Sequence, residues 1–375
     1  MIAWLRRLVV SSVARILARF LFRRIDIDGE DRVPTEGSVL VIANHDNNLI
    51  DPMLLLAFGS RPVRFLAKHT LFSHPLVRHL VSLVDAVPVY RVEDGGDPRR
   101  NAETLAMCAR TLVTGEVIGV FPEGRCHNDS HRRPLKAGTA RIAVEAARRA
   151  GERTIWVLPV GIHYTEKSRF RSGVALVAGN AIRVDPQEST QSLKRRMAAG
   201  LESVTVNAPT WADADLALRR AEVAAGPRAV APGPFERFGL WRQALADGVL
   251  APPTGDGLPR WDDLPEAPPS LSRALVCGVV AIAVAPLAVL PLALILLPAV
   301  HGRRTPDEPA TRRALATIVF VPPVILLHGA LTAEGLGFRA GFAAGVLTPL
   351  AMWAVVCAWD AWRDLLKARR LTRVR

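Results

Sequence analysis

Short apolar runs alternate with stretches of helical periodicity through the first half of the chain. Val39-Leu40-Val41-Ile42-Ala43 is unbroken by any polar residue, the pattern of a strand buried on both faces. Val63–Ala67, Ala86–Tyr90, Val117–Phe121, Ile155–Val160 and Val174–Ala178 predict further strands. Residues 99–114 and 137–150 carry helical spacing, the second basic on its exposed side. This alternation predicts an α/β domain over residues 25–185, a central sheet flanked by helices. Polar helices near 190–204 and 210–225 extend it, giving a helical extension over 186–225. Residues 226–272 are rich in Pro, Gly and Ala and read as a linker or a loosely packed excursion, with only Phe235–Ala246 helical.

The last hundred residues change character. Residues 274–300, 314–333 and 340–358 are long and uncharged, and the first is broken by Pro286, Pro291 and Pro298. A membrane helix needs about 20 apolar residues to cross roughly 30 Å of hydrocarbon, so each run qualifies and 273–375 reads as a membrane region with a basic tail. The loop with Arg303, Arg304, Arg312 and Arg313 and the tail from Arg363 to Arg375 are both basic. The positive-inside rule puts both in the cytoplasm. Three simple crossings would then leave residues 1–270 outside. A re-entrant hairpin bent at Pro286 and Pro291 returns the catalytic domain to the cytoplasm.

Residues 1–24 show a different amphipathicity. Arg7, Ser11, Arg15, Arg19 and Arg23 form one i,i+4 row, with Ile2, Val9, Val13, Ile16 and Phe20 roughly opposite. This predicts a basic helix lying on an anionic membrane surface rather than a cleaved signal or a crossing. A helix packed on the domain's own core is the alternative.

Formal net charge is +13, with 48 Lys and Arg against 35 Asp and Glu, which suits an anionic partner. The basic residues flank apolar segments and no recognition motif appears, so a phospholipid surface or a phosphorylated substrate is favoured and nucleic acid is not. The four cysteines are scattered without CxxC spacing, so neither a disulfide framework nor a zinc ribbon is implied. The sequence says nothing of oligomeric state.

Candidate chemistry begins directly after the first apolar run. His45 stands at its end and Asp51 six positions on. A neutral imidazole there can take a hydroxyl proton, with the carboxylate holding its tautomer. Asp51 before Pro52 also reads as a helix N-cap, and Asp46 competes as a partner for His45. His127 and His131 have the i,i+4 spacing of a metal pair but only Asp129 beside them, so a polar loop is the reading and no metal is expected. His69, His74 and His79 read as surface or satisfied side chains.

Four blocks, in order across residues 38–165, resemble the PlsC-type glycerolipid acyltransferases, the family of glycerol-3-phosphate and 1-acylglycerol-3-phosphate acyltransferases. They are Asn44-His45 with Asp51, then Phe65-Leu66-Ala67-Lys68 through Val87-Pro88-Val89-Tyr90-Arg91. Phe121-Pro122-Glu123-Gly124-Arg125 with Pro134–Gly138 follows, and Val157-Leu158-Pro159-Val160 closes the set. Two departures stand out. Five residues separate His45 from Asp51, one more than in the commonest form, which resembles a subgroup containing glycerol-3-phosphate and dihydroxyacetone-phosphate acyltransferases. Cys126 stands where the family usually has Ser or Thr, and a thiol is the poorer donor.

The resemblance implies His45 as general base oriented by Asp51, and acceptor binding by Glu123 and Gly124. Arg91, Arg125 and Lys136 are the cations for the acceptor's phosphate. It implies an integral membrane enzyme with its catalytic domain facing the cytoplasm. The reaction implied moves a fatty acyl group from acyl-CoA or acyl carrier protein to lysophosphatidate, with no cofactor. Glycerol 3-phosphate or dihydroxyacetone phosphate is the alternative acceptor. A membrane scaffold keeping the fold without catalysis is the alternative of another class. No G-x-S-x-G motif is present, which favours direct transfer over a serine acyl-enzyme.

Overall fold

In the computed structural model the described residues are 2–374 apart from 60, 74–77, 79–80, 83, 91–97, 168, 249–257, 269 and 297–337. The expected loop of arginines 303–313 and the apolar run 314–333 lie outside them, as do Arg91, His74 and His79. The chain divides into two compact units. The first comprises Met1–Arg19, Ile25–Tyr164 and Val174–Trp211; the second comprises Phe20–Arg24, Thr165–Gly173 and Ala212–Arg375.

The sheet is built from β1 (Phe22–Asp28), β2 (Ser38–Ala43), β3 (Val63–Lys68), β4 (Val87–Val89), β5 (Val117–Val120), β6 (Ile155–Tyr164), β7 (Ser172–Ala178) and β8 (Ile182–Arg183). Among the described residues their order is β1-β7-β6-β2-β5-β3-β4, with β8 also on β6. β6, β2, β5, β3 and β4 are mutually parallel, while β7 and β8 run antiparallel to β6. Mixed α/β architecture is thus observed as expected. Pro159 sits in a central strand, where an N–H is normally required. It falls opposite the break between β7 and β8, and its carbonyl takes the Gly179 N–H at 2.8 Å.

Period-2 alternation distributes the apolar runs between the two faces. Leu40, Ile42, Ile118, Val120, Ile155 and Val157 pack with Cys108, Leu112, Ile142 and Leu193 in one continuous core. Those partners come from α4 (Pro98–Val113), α5 (Ala137–Arg149) and α6 (Thr190–Val204), which follow α2 (Ile50–Phe58) and α3 (His69–Ser73). Val39, Val41, Val117, Leu158 and Val160 point the other way, and with Leu55, Phe58 and Leu176 line a small apolar cavity of about 80 Å³.

The N-terminal helix α1 spans Ile2–Leu21, and β1 begins at Phe22. The expected helix over 1–24 is therefore too long: Phe22-Arg23-Arg24 already belong to a strand, whose charged residues hid it from an apolar-run reading. Of the basic row, Arg15 and Arg19 are exposed, with Arg15 Nε on the Ala57 carbonyl at 3.1 Å, while Arg6, outside the row, pairs with Asp85 and Ala14, Ala18 and Phe20 are the buried positions. Leu8, Val9, Val13 and Ile16 are exposed.

The second unit holds α7 (Trp211–Ala224) beyond its first residue, α8 (Pro234–Ala246), α9 (Leu271–Leu296) and α10 (Phe338–Val374). The stretch 226–272 is not a plain linker. Trp261 and Leu264 are buried in a small core with Leu218 and Ala221, because the indole and its neighbours find an apolar helix face to cover. Helix α9 runs unbroken to Leu296, so the expected hairpin at Pro286 and Pro291 does not form. Helix α10 continues through the basic tail, and residues 343–371 are long and apolar enough by length and composition to cross a membrane. Arg171 is buried in this unit at a left-handed φ of 61°. Its guanidinium reaches Asp360 Oδ2 at 2.7 Å and the carbonyls of Phe20 and Phe22 at 3.2 and 2.9 Å.

Candidate active site

Parallel strands share a carboxyl edge, and ligands bind α/β sheets outside it. His45 follows β2 by two residues, Phe121 follows β5 directly, His69 follows β3, Tyr90 follows β4, and Tyr164 closes β6. Five strands thus deliver their chemistry-bearing residues to one rim. Asn44 locks the end of β2 to β6: its Oδ1 accepts the Ile162 N–H at 2.8 Å and its Nδ2 donates to the Ile162 carbonyl at 3.0 Å.

His45 Nδ1 lies 2.8 Å from Asp51 Oδ2. Asp51 accepts only through its carboxylate, so Nδ1 carries the proton and Nε2 keeps its lone pair. Asp51 is wholly buried in the first turn of α2, and the same Oδ2 accepts the Asn47 N–H at 2.8 Å. The helix is capped at Leu49 without a side-chain bond, so Asp51 is the histidine's partner rather than the N-cap. Asp46 accepts from Asn44 Nδ2 at 2.7 Å. The His45 ring lies flat on Phe121, centroids 4.0 Å apart at 14°, and Phe121 stacks in turn on Phe65. With 15% of its side chain exposed, His45 is held in orientation yet reachable.

Sequence reasoning missed Tyr164. Its hydroxyl donates to Asp51 Oδ1. Burial, with the Asp51 charge and hydrogen bond behind it, pushes the phenol well above its ordinary pKa, so it stays a donor. A usable signal existed: the chain has two tyrosines, and each stands where an apolar strand run ends.

Glu123 and Gly124 occupy a tight turn after β5, Gly124 at φ 82° with its N–H on the Phe121 carbonyl at 3.0 Å. Lys136 lies across this turn, its N–H on the Pro122 carbonyl at 2.7 Å and its stem against Gly124. Arg125 is exposed on the same loop. The loop reaches the histidine through the His127 N–H, 3.1 Å from the His45 carbonyl. Glu123 is buried, with Oε2 accepting the Arg133 N–H at 2.7 Å and bonded to His127 Nε2. His127 and His131 do not form a metal pair with a third ligand; among the described residues no group of three or more His, Cys, Asp or Glu is placed to hold a metal ion. The structure thus brings His45, Asp51, Glu123, Gly124 and Lys136 to one rim.

Fold and site together define an α/β protein with an oriented, carboxylate-paired histidine at the carboxyl edge of a parallel sheet. Residues 24–163 match the family model described as Acyltransferase. Among known proteins it is similar to glycerol-3-phosphate O-acyltransferase 2 of Saccharomyces cerevisiae, 34% identical over 30% of this chain and 16% of that protein. It is also similar to a chloroplastic 1-acyl-sn-glycerol-3-phosphate acyltransferase of Brassica napus, 27% identical over 36% of this chain and 38% of the other. The chain spans well under half the length of either relative. Among solved structures the 1-acyl-sn-glycerophosphate acyltransferase PlsC of Thermotoga maritima matches with TM-score 0.42 and 23% identity, covering 53% of this chain and 79% of that one.

Proposed function

We propose that the protein is an O-acyltransferase of glycerolipid synthesis, moving a fatty acyl group from a thioester to the free hydroxyl of lysophosphatidate. The observation that carries this reading is the His45–Asp51 pair, held at the sheet's carboxyl edge beside the Glu123 turn within the segment that matches the Acyltransferase family model. Nε2 of His45 takes the acceptor's hydroxyl proton as its oxygen attacks the thioester carbonyl carbon. Collapse of the tetrahedral intermediate breaks the carbon–sulfur bond, and the histidine returns the proton to the departing thiolate. Asp51 keeps the proton on Nδ1 and balances the transient imidazolium. Lys136, Arg125 and Arg91 supply cations for the acceptor's phosphate. The donor is acyl-CoA or acyl carrier protein, and no cofactor is required.

Glycerol 3-phosphate is the second acceptor reading, supported by the long His45–Asp51 spacing and by the name of the yeast relative. A membrane-held enzyme agrees with the exposed Leu8, Val9, Val13 and Ile16 of α1 and with the apolar length of α10, whose Trp353 and Trp359 are exposed as in an interfacial belt. The basic end of α10 is consistent with a cytoplasmic catalytic domain. The test is acyl transfer from labelled acyl-CoA to a panel of acceptors by membranes carrying wild type, His45→Ala or Asp51→Asn. Transfer to lysophosphatidate lost in both variants supports the reading. Equal activity in all three sinks the mechanism, and an unimpaired cellular role for His45→Ala would favour the scaffold.

A further inference from the structure

Among the titratable groups that this mechanism leaves unused, His127 is the one most fully built into the site. Its side chain is 5% exposed, and its backbone N–H is the one that meets the His45 carbonyl. The Asp129 N–H points at Nδ1 from 3.2 Å. An N–H aimed at a ring nitrogen needs a lone pair there, so the ring proton resides on Nε2 and is donated to Glu123 Oε2. That same oxygen also receives the Arg133 N–H. Both donors therefore bind one oxygen of Glu123. The other, Oε1, is buried with no hydrogen-bond partner among the described residues. A buried carboxylate oxygen without a donor is costly, and such a group is a place to look for one that a ligand completes.

We propose that His127 is the positioning residue of Glu123, clamping Oε2 through Nε2–H so that Oε1 is presented to a hydroxyl of the glycerol-type acceptor. The inference rests on the proposed acyl transfer and deepens it by naming what holds the acceptor-binding carboxylate. Glu123, Asp46 and Asp129 face the imidazole as carboxylates, with Arg133 bound to Asp129 and His131 close to Asp129. Burial opposes a second ring proton, while the hydrogen bond and charge of Glu123, with Asp46 and Asp129, favour it, and the ring's pKa stands above its ordinary value. A second proton must enter at Nδ1, where it evicts the Asp129 amide. The Nε2–H that clamps Glu123 persists in the protonated ring, so the clamp itself holds as pH falls through this titration.

The experiment measures acceptor KM and kcat of the full chain across pH for wild type, His127→Leu and His127→Gln, with thermal midpoints alongside. Gln supplies an amide N–H in place of Nε2–H. The expected result for His127→Leu is an acceptor KM raised about tenfold, equivalent to one hydrogen bond, with a smaller change in kcat. His127→Gln should stay within about threefold of wild type. An unchanged KM in His127→Leu, or equal damage in both variants, overturns the proposal. If His45→Ala abolishes transfer while His127→Leu leaves KM alone, only this inference falls. A readout without activity comes from nitrogen-15 NMR of the histidine-labelled full chain. His127 should be an Nε2–H tautomer whose pKa drops in Glu123→Gln. An Nδ1–H tautomer, or a pKa indifferent to Glu123, refutes the clamp even if no acceptor is ever turned over.

Discussion

Replacing Tyr164 by Phe removes a single hydroxyl from the interior, which makes it the cleanest probe of how the base is held. Asp51 spends Oδ2 on His45 Nδ1 and the Asn47 N–H, both at 2.8 Å, and Oδ1 on Tyr164. Without the phenol, Oδ1 is a fully buried carboxylate oxygen with its donor gone. A hydrogen bond to a charged group contributes about 1.5–3 kcal/mol, and Phe offers nothing in exchange. For a unit of about 200 residues, the size of the one that holds Tyr164, each kcal/mol moves the midpoint by about 2–4 °C, so thermal unfolding should fall by about 3–12 °C. The catalytic loss is smaller, because two donors still anchor Asp51. A weakening of about 0.6–2 kcal/mol at the imidazolium corresponds to a roughly 3- to 30-fold lower kcat. Thiol release from acyl-CoA in the presence of acceptor measures it. The decisive comparison adds Asp51→Asn and the double variant. If Tyr164 acts through Asp51, Tyr164→Phe costs far less kcat in the Asp51→Asn background. Fully multiplicative losses, or a variant with wild-type midpoint and rate, would refute the reasoning.

Three further outcomes test other parts of the structure. In Gly119→Ala the new Cβ would lie 2.4 Å from Phe65 Cε1 and 2.9 Å from Val63 Cγ1. Phe65 must then press on the Phe121–His45 stack, with about 1–3 kcal/mol lost in chemical denaturation and a lower kcat; a silent substitution would show that the stack does not orient the base. Burial pushes the Cys108 thiol up to about 12 from 9.0, so the folded chain should resist iodoacetamide at this site at pH 8 by mass spectrometry. In the unfolded chain Cys108 ionises first, so its contribution to stability is complete below pH 9.0 and is lost as pH rises towards about 12. Arg171→Ala removes both hydrogen bonds to the buried Asp360 carboxylate, leaving among the described residues only Arg23 and Arg363 at 3.8 and 3.6 Å, and should cost up to about 3 kcal/mol, seen as a lower midpoint and faster proteolysis between residues 165 and 173. Unaltered proteolysis there would remove Arg171 from the packing of that unit.

The strands in the middle of the sheet were legible because they are buried on both faces, which turns alternation into unbroken apolar runs such as 39–43 and 155–160. β1 was not: Phe22-Arg23-Arg24-Ile25-Asp26-Ile27-Asp28 alternates with charge, and its start reads as the continuation of a basic helix. The hairpin expected at Pro286 and Pro291 failed for the opposite reason: a proline weakens a helix locally, yet α9 runs on through both sites. Trp261 lies in a stretch whose composition resembles a linker, and composition does not register one large side chain finding a core.

His45, Asp51 and the Glu123 turn were readable from sequence because each pair of groups lies close along the chain, where spacing and residue type carry the chemistry. Tyr164 lies 113 residues from Asp51. Only the parallel pairing of Ala43 with Val160 carries the end of β6 to the end of β2 and sets the phenol against the carboxylate. The sequence by itself determined the apolar strands of the sheet's middle and which residue types stood where a base and its orienter could act. Tertiary structure decided the strand order, the division of labour between the two oxygens of Asp51 and of Glu123, and the tautomers of His45 and His127. Local periodicity reports burial, whereas the direction of a hydrogen bond depends on partners that only cross-strand register brings within reach.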